Sequence, residues 1–518
     1  MATSRSGEPA RLQHRDGLAS GYPLALAMVD SQSTADFGSV SASVLGGRDE
    51  VLALVVAWAP FEPERVGEVV LFEPNAGAQI LGRGDPGGTA NNRALLRRQR
   101  PGTTSPTGPL SSPGLSREQL RIRVEADRLR IQRTGKCPIE VDGATVDECT
   151  LEPGNTLLLR GQMLLLCTRR PWTMEALRHA SLAHAPVFGA ADRFGIVGES
   201  PSTWRLRERI AWTAAADEHT LLLGGSGSGK ELCARAVHEL SSRAKGSFVA
   251  RNAATIPESL VDAELFGNVK GYPNPGMPER TGLVGAAHQG TLFLDEIAEM
   301  PLEIQANLLR VLDEGGEYHA LGASTARRSD LRLIGATNRD ATALKHDLLA
   351  RLVVRLEVPG LDERREDVPL LIRHLLARVA EKSPHAMDRF IASTGQTAGP
   401  RIAADLVTHL LLHSYETNIR ELHALLWQAM AGSSGNVIGW SETPKARESA
   451  PPKQSAPPLE EAAHPKEERR AEPTADEIRA TLARLDGNIL HTARALGLSS
   501  RYVLYRLMRR HGIDPDAQ

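Results

Sequence analysis

The stretch TLLLGGSGSGKEL, Thr220 to Leu232, constrains the fold more than any other part of the chain. A short apolar run enters a glycine-rich turn, and a helix-forming segment follows. Gly224, Gly225, Ser226, Gly227, Ser228, Gly229 and Lys230 have the phosphate-loop spacing. The glycines let backbone N–H groups close around phosphates, the helix adds its positive end, and Lys230 reaches the β and γ oxygens. Glu231 stands where the general pattern has a magnesium-binding Ser or Thr. The run GTLFLDE ends a second apolar strand in Asp295, expected to hold magnesium, and Glu296, expected to polarise the attacking water. LRLIGATN places Asn338 at the end of a third strand, where a parallel sheet presents polar groups to a ligand. The chemistry indicated is binding and hydrolysis of ATP with Mg2+.

The 518 residues are too many for one core, so several domains are expected. Residues 1–47, rich in Ser, Gly and Ala, read as disordered. Short apolar or alternating runs over 48–172 (VLALVVAW, GEVVLFE, LRIRVE, RLRIQR, TLLLR) predict an all-β sandwich, with GTTSPTGPLSSPG (Gly102–Gly114) as a long loop. Alternating strands and helices over 190–360 predict an α/β domain with a parallel sheet, and 361–432 an α-helical lid. Residues 433–474, dense in Pro, Glu and Lys, read as a linker, and 475–518 as a small all-α unit. A net charge of −2 excludes a uniformly basic nucleic-acid coat but permits a small basic reading head. No apolar run is long enough for a membrane span, and the N-terminus lacks the core of a signal peptide. The four Cys form no CxxC pair, so reduced thiols and a cytoplasmic location are the expectation.

In the last segment, Leu490–Leu496, a Gly497-Leu498-Ser499 turn and a helix from Ser500 have helix-turn-helix punctuation. Ala493, Leu496, Leu498, Val503 and Leu507 space as its packing face. Arg501, Tyr502, Tyr505, Arg506 and Arg509 form the candidate DNA-facing set, suited to guanine edges and phosphates in a major groove. One such unit covers little DNA, so a dimer or higher homo-oligomer is expected.

These motifs resemble bacterial enhancer-binding proteins, the AAA+ activators of sigma-54 RNA polymerase. GGSGSGKE is similar to their GESGTGKE, FVARNAATIPESLVDAELFG to FVxVNCAALPESLxESELFG, and RREDVPLL and TNIREL also fit. The resemblance spans about 195–432, and the terminal unit resembles the Fis-type domain of the same family. It implies an oligomeric ring, usually a hexamer, with ATP at subunit boundaries. It implies that Asn252 restrains the catalytic glutamate and that Arg420 contacts phosphate from the lid. The family's FRxDLYxRL reads LKHDLLARL here: Arg351 matches one intersubunit arginine, and Lys345 replaces the other. An arginine finger contributes roughly 10³ to 10⁵ in rate, and lysine lacks its planar fork. The family's sigma-54 contact loop, GAFTGA, falls on Gly271, Tyr272, Pro273, Asn274, Pro275 and Gly276. The Phe and Thr that make the contact become Pro273 and Asn274 in a scaffold of unchanged length. Two roles follow: an ATPase that opens sigma-54 promoter complexes, or a DNA-bound regulator in which nucleotide controls only oligomerisation.

The N-terminal sandwich resembles a forkhead-associated (FHA) domain, which binds phosphothreonine peptides. Gly82-Arg83 matches its GR and LSRE its SR segment, implying that Arg83 and Ser116 contact phosphate. The expected His falls on Gln119, the expected NGT on Cys137-Pro138-Ile139, and Val141-Asp142-Gly143 is similar to the final VNG. The Ser/Thr cluster between Thr103 and Ser112 is a candidate phosphorylated ligand in cis. The combined reading is a regulator joining a phosphoprotein sensor, an ATPase ring and a DNA anchor.

Overall fold

The computed structural model describes residues 50–74, 76–84, 92–182, 185–313, 315–391, 399–440 and 473–484, with a few single positions between 492 and 513. The chain divides at Thr443 into two units.

Among the described residues, the first unit opens with twelve strands. They are β1 (Glu50–Trp58), β2 (Val69–Leu71), β3 (Gln79–Leu81), β4 (Arg97–Arg100), β5 (Thr103–Pro106), β6 (Leu120–Glu125), β7 (Arg128–Arg133), β8 (Ile139–Val141), β9 (Ala144–Val146), β10 (Glu148–Leu151), β11 (Thr156–Leu159) and β12 (Met163–Pro171). An eight-stranded sheet in the order β5-β4-β2-β1-β12-β11-β8-β9 faces a four-stranded sheet, β10-β7-β6-β3. β6 and β7 alternate buried and exposed residues, as strands with one wet face do. β1 does not: Val51 to Ala57 are all buried. Its Leu52, Leu54 and Val56 enter the core between the sheets. Its Val51, Ala53, Val55 and Ala57 enter a second core, shared with the lid helices. The expected loop at 102–114 is partly a strand: Thr103–Pro106 pairs with Arg97–Arg100 at the sheet edge. A polar composition suits a strand with only one partner, and Pro106 closes it without removing a needed donor.

The next elements are α1 (Pro201–Ala216), β13 (Thr220–Leu223), α2 (Lys230–Leu240), β14 (Phe248–Asn252), α3 (Val261–Phe266), α4 (Gly282–Ala286), β15 (Thr291–Asp295), α5 (Leu302–Leu312), β16 (Glu317–Tyr318), β17 (Arg327–Arg328), β18 (Arg332–Thr337), α6 (His346–Arg351) and β19 (Val354–Glu357). Five strands form a parallel sheet in the order β14-β15-β18-β13-β19. Leu221 and Leu222 are fully buried, which explains the near-continuous apolar run of β13. The order sets the carboxyl ends of β14, β15, β18 and β13 side by side, where such sheets bind ligands. The lid follows as α7 (Val368–Lys382), α8 (Pro384–Met387), α9 (Ala404–Leu412) and α10 (Asn418–Gly432).

In the second unit, α11 (Ala475–Arg484) contributes Ile478 and Leu482 to a small core with Leu504, Leu507 and Met508. Leu496 packs against it, as its spacing predicts. Ala493, Leu498, Val503 and the DNA-facing set Arg501, Tyr502, Tyr505, Arg506 and Arg509 lie outside the described residues, as do positions 1–47. Among the described residues no helix is long and apolar enough to cross a membrane.

Candidate nucleotide-binding site

The phosphate loop leaves β13 at Gly224 and enters α2 at Lys230. Gly227 and Gly229 have φ of 71° and 106°, a left-handed backbone that glycine adopts at no steric cost. The Lys230 Nζ is buried and donates to Gly224 O at 2.9 Å and Gly225 O at 3.3 Å. Ser228 Oγ is buried with no hydrogen-bond partner among the described residues. Glu231 is not buried with the loop; it pairs on the surface with Arg235 at 3.3 Å.

β15 delivers Asp295 and Glu296 beside this loop. Glu296 sits at φ 52°, a strained conformation for a non-glycine residue and typical of functional positions. Its Oε1 lies 4.0 Å from Lys230 Nζ, and its Oε2 accepts from the Asn338 backbone N–H at 3.3 Å. Asn252 is aligned with Asp295 across β14 and β15. Its side-chain oxygen accepts from Ala254 N at 2.9 Å, so it caps the following turn and is directed to that turn, not to Glu296. Arg351 does not reach this cluster within the subunit; it pairs with Asp313 at 2.6 Å on the surface. Lys345 precedes α6, and its backbone N–H donates to Gln305 Oε1.

The lid closes the site. Arg420 Nη1 donates to Ser226 Oγ at 2.9 Å. Asn418 Nδ2 donates to Ser226 O at 2.9 Å, and Asn418 Oδ1 accepts from Leu361 N at 2.8 Å. Beneath the loop, the buried Arg364 donates to Ser228 O at 3.3 Å. Neither Asn418 nor Arg364 was singled out by sequence reasoning, although both lie within the quoted TNIREL and RREDVPLL segments; a polar residue in a motif does not reveal which backbone it staples. Between loop and lid lies a cavity of about 600 Å³. Lys230, Arg378, Lys382 and Arg420 give it cationic walls, Asp295 and Glu296 an acidic edge, and Trp427 an aromatic one. The volume, the cations and the unpaired Ser228 hydroxyl fit a nucleoside polyphosphate. Asp295 and Glu296 are too few for a self-contained metal site, and no group of three metal-binding side chains occurs among the described residues. They fit an ion that takes its other ligands from phosphates and water.

The segment Gly271–Gly276 is a closed turn, with a cis bond between Tyr272 and Pro273. Gly271 N donates to Met277 O and Met277 N to Asn274 O. The buried Asn268 holds its base, its amide nitrogen lying 3.0–3.2 Å from the carbonyls of Val269, Tyr272 and Pro278. Tyr272 is exposed and lies over Gly322, while Pro273, Asn274 and Pro275 are exposed.

In the sandwich, Arg83 and Ser116 are adjacent: Arg83 N donates to Ser116 O at 2.9 Å. The Arg83 residue is exposed, and Ser116 Oγ accepts from Lys136 N. Gln119, fully buried, lies behind this corner and bonds Ser116 N, Cys137 N and Cys137 O. Of the Ser/Thr cluster, Ser112 is buried and bonded to Glu62, and the Thr107 hydroxyl to Glu68.

Sheet order, phosphate loop and lid together define an AAA+ P-loop ATPase core with a helical lid. A sigma-54 interaction domain model matches residues 196–361, and an AAA+ ATPase lid domain model matches 362–458. The transcriptional regulatory protein ZraR of Escherichia coli K12 is 36% identical over 350 residues, covering 65% of this chain and 75% of ZraR. The regulatory protein AtoC of the same strain is 38% identical over 334 residues, covering 62% of this chain and 68% of AtoC. NtrX from Brucella abortus, solved in complex with ADP, is 30% identical, with 62% of this chain and 70% of that chain covered and a TM-score of 0.43. The chain belongs to the family of sigma-54-dependent transcriptional regulators.

Proposed function

We propose that the protein is an ATP-hydrolysing, DNA-anchored regulator of transcription whose contact with its target has been rebuilt. The observation that carries this reading is the convergence of Lys230, Asp295, Glu296 and the lid residue Arg420 on one cavity. Lys230 leaves Gly224 O and Gly225 O to engage the β and γ oxygens of ATP, and Ser228 gains the partner it lacks. Asp295, together with phosphate and water, would hold magnesium, which would supply positive charge beside the phosphates. Glu296 orients the attacking water, and Asn338, whose N–H it accepts, fixes its carboxylate. Arg351, exposed beside Asp313, is available to a neighbouring subunit's nucleotide in a ring, usually a hexamer in this family.

The exposed Arg83 with Ser116 supports phosphothreonine recognition by the sandwich, and the arginines from Arg501 onward support DNA binding. The loop Gly271–Gly276 favours a second reading of the target. Held down by Asn268, with prolines where the family's contact residues fall, it supports a partner other than sigma-54 or no remodelling target. The deciding experiment is binding of the purified protein to sigma-54 with ADP and aluminium fluoride. A trapped complex supports sigma-54 activation through an unorthodox loop. ATPase activity without trapping assigns the ring another partner. A Glu296→Gln variant that still regulates its promoter would leave nucleotide controlling assembly alone.

A further inference from the structure

A second cavity, of about 640 Å³, shares no lining residue with the nucleotide site. It lies between the open edge of β5 and the segment Thr173–Arg178 that follows β12. The ladder between β4 and β5 dictates what this edge offers. Thr107 N donates to Leu96 O, so Leu96 and Thr107 are a hydrogen-bonded pair. Bonded and non-bonded pairs alternate along an antiparallel ladder. Arg98–Ser105 and Arg100–Thr103 are therefore bonded pairs, and Arg97–Pro106 and Gln99–Thr104 are not. Thr104 thus turns both its N–H and its C=O away from β4, to the open edge that lines the cavity. Pro106 has the same parity and no N–H to offer. Gly102 also has that parity, and its N–H already donates to Met174 O at 2.9 Å.

The facing wall is preformed. Gln99 Nε2 donates to Pro171 O at 2.7 Å and to Trp172 O at 3.3 Å. A Cβ added at Gly102 would stand 3.3 Å from Ala176 Cβ, so turn and wall pack closely. Glu208 accepts from the backbone N–H groups of Arg178, His179 and Ala180. The segment meets the β5 edge at Gly102 as a further strand would, and then leaves it: among the described residues it makes no backbone bond to Thr104. Two opposite charges are left over. Glu175 and Arg178 both line the cavity and are exposed, and neither side chain has a hydrogen bond or ion pair among the described residues. The hydroxyls of Thr103 and Thr104 are equally unengaged.

We infer that this cavity binds a free α-amino acid with an aliphatic side chain. A strand edge recognises the backbone of what docks on it. Here the edge is complete at one residue only. Thr104 supplies a donor and an acceptor, Gly102 has spent its donor, and Pro106 never had one. A longer strand would find no second donor, whereas a single amino acid needs none. Its carboxylate accepts from Thr104 N–H and from the Arg178 guanidinium, a charge-assisted contact. Its ammonium donates to Thr104 O and to the Glu175 carboxylate, which has no other cation. Met174, Ala176 and Leu177 give the side chain an apolar bed. The volume is that of a small-molecule site. The site is separate from the Arg83–Ser116 corner, neither of whose residues lines it.

The test is calorimetric titration of the full chain, without nucleotide, with L-leucine, L-isoleucine, L-valine and L-methionine, and with N-acetyl-L-leucine. The expected result is saturable binding of at least one free amino acid, and none of the acetylated form, which lacks the ammonium that Glu175 would meet. Arg178→Ala and Glu175→Ala, both at exposed positions, should each weaken binding by about tenfold or more. Thr104→Pro removes the outward N–H without touching a ladder bond, as Pro106 does in the same parity, and should weaken it likewise. Near-UV circular dichroism equal to wild type shows that each variant is folded. No saturable binding of any of the four amino acids would overturn the inference. So would binding that folded Arg178→Ala and Thr104→Pro leave unchanged. Equal affinity for N-acetyl-L-leucine would also overturn it, since the ligand would then be the end of a polypeptide.

Discussion

Lys230 and Glu296 face each other across the cavity, with Nζ 4.0 Å from Oε1. One side chain belongs to the loop after β13 and the other to the end of β15, with β18 between them in the sheet. The two charges meet because parallel strands present their carboxyl ends together. The roles proposed for them should separate on mutation. Lys230→Ala removes the cation proposed to meet the phosphates, so nucleotide binding should be lost. Glu296→Gln keeps shape and polarity but cannot polarise water, so binding persists while kcat falls by about 10²-fold or more. A fluorescent ATP analogue and a phosphate-release assay read the two effects. Loss of both functions in both variants would show that the residues are structural.

Glu366 makes stability pH-dependent. Burial, reinforced by the neighbouring Asp367 charge and opposed by Arg170, pushes its carboxyl from the ordinary 4.5 up to about 7. Between these values the folded chain holds a proton that the unfolded chain has released. This contribution to stability is therefore full below pH 4.5, declines as pH rises, and is lost above about pH 7. Glu366→Gln, permanently neutral, should flatten the decline and melt higher than wild type at pH 8. Melting curves from pH 5 to 8 check this; equal slopes for both proteins would refute the assignment.

Asn268 sets the shape of the turn at Gly271–Gly276. Asn268→Ala leaves the carbonyls of Val269, Tyr272 and Pro278 without this buried donor, costing about 1–3 kcal/mol. Thermal melting should register the loss, and limited proteolysis should cut near Tyr272 before the rest of the core. Resistance equal to wild type would mean that the turn is held by its prolines.

The thiols should be inert in the folded protein. Burial pushes Cys233 and Cys167 up to about 12 and Cys149 up to about 11, which leaves almost no thiolate at neutral pH. A disulfide reagent should label them only after denaturation. Rapid labelling of Cys233 in native protein would show that α2 opens.

The sequence exposed the parts of the site that follow one another along the chain. The glycine spacing before Lys230 and the carboxylates after TLFL need only local rules, and the structure brings them together. It hid the parts made by distant residues. Asn418 fastens the lid to Ser226 across a large separation in sequence, and no periodicity encodes that bond. Gln119 departs from the expected His, yet it is a buried staple at the Arg83–Ser116 corner, because an amide can both donate and accept there. The edge strand at Thr103–Pro106 was masked by Ser, Thr and Pro, which favour turns when no sheet edge is nearby. The run VLALVVAW did carry a signal of its second partner. A strand apolar on both faces in an antiparallel sandwich must be covered on both, and the cover is the lid.

That doubly covered strand bears on how the protein can be dissected or recombined. In many multidomain chains a sensor can be trimmed off or exchanged, because its border is polar and thin. Here the border is a stretch of protein interior. A shortened chain starting near residue 190 would uncover the flank of Leu370 and the receiving surface of α9, and an isolated sandwich would uncover Val51, Ala53 and Val55. Each piece would carry an adhesive patch prone to self-association. A transplanted sandwich would need the lid to be recut to match it. Sandwich and ATPase core are thus bound to change together, and the inheritable unit is the pair.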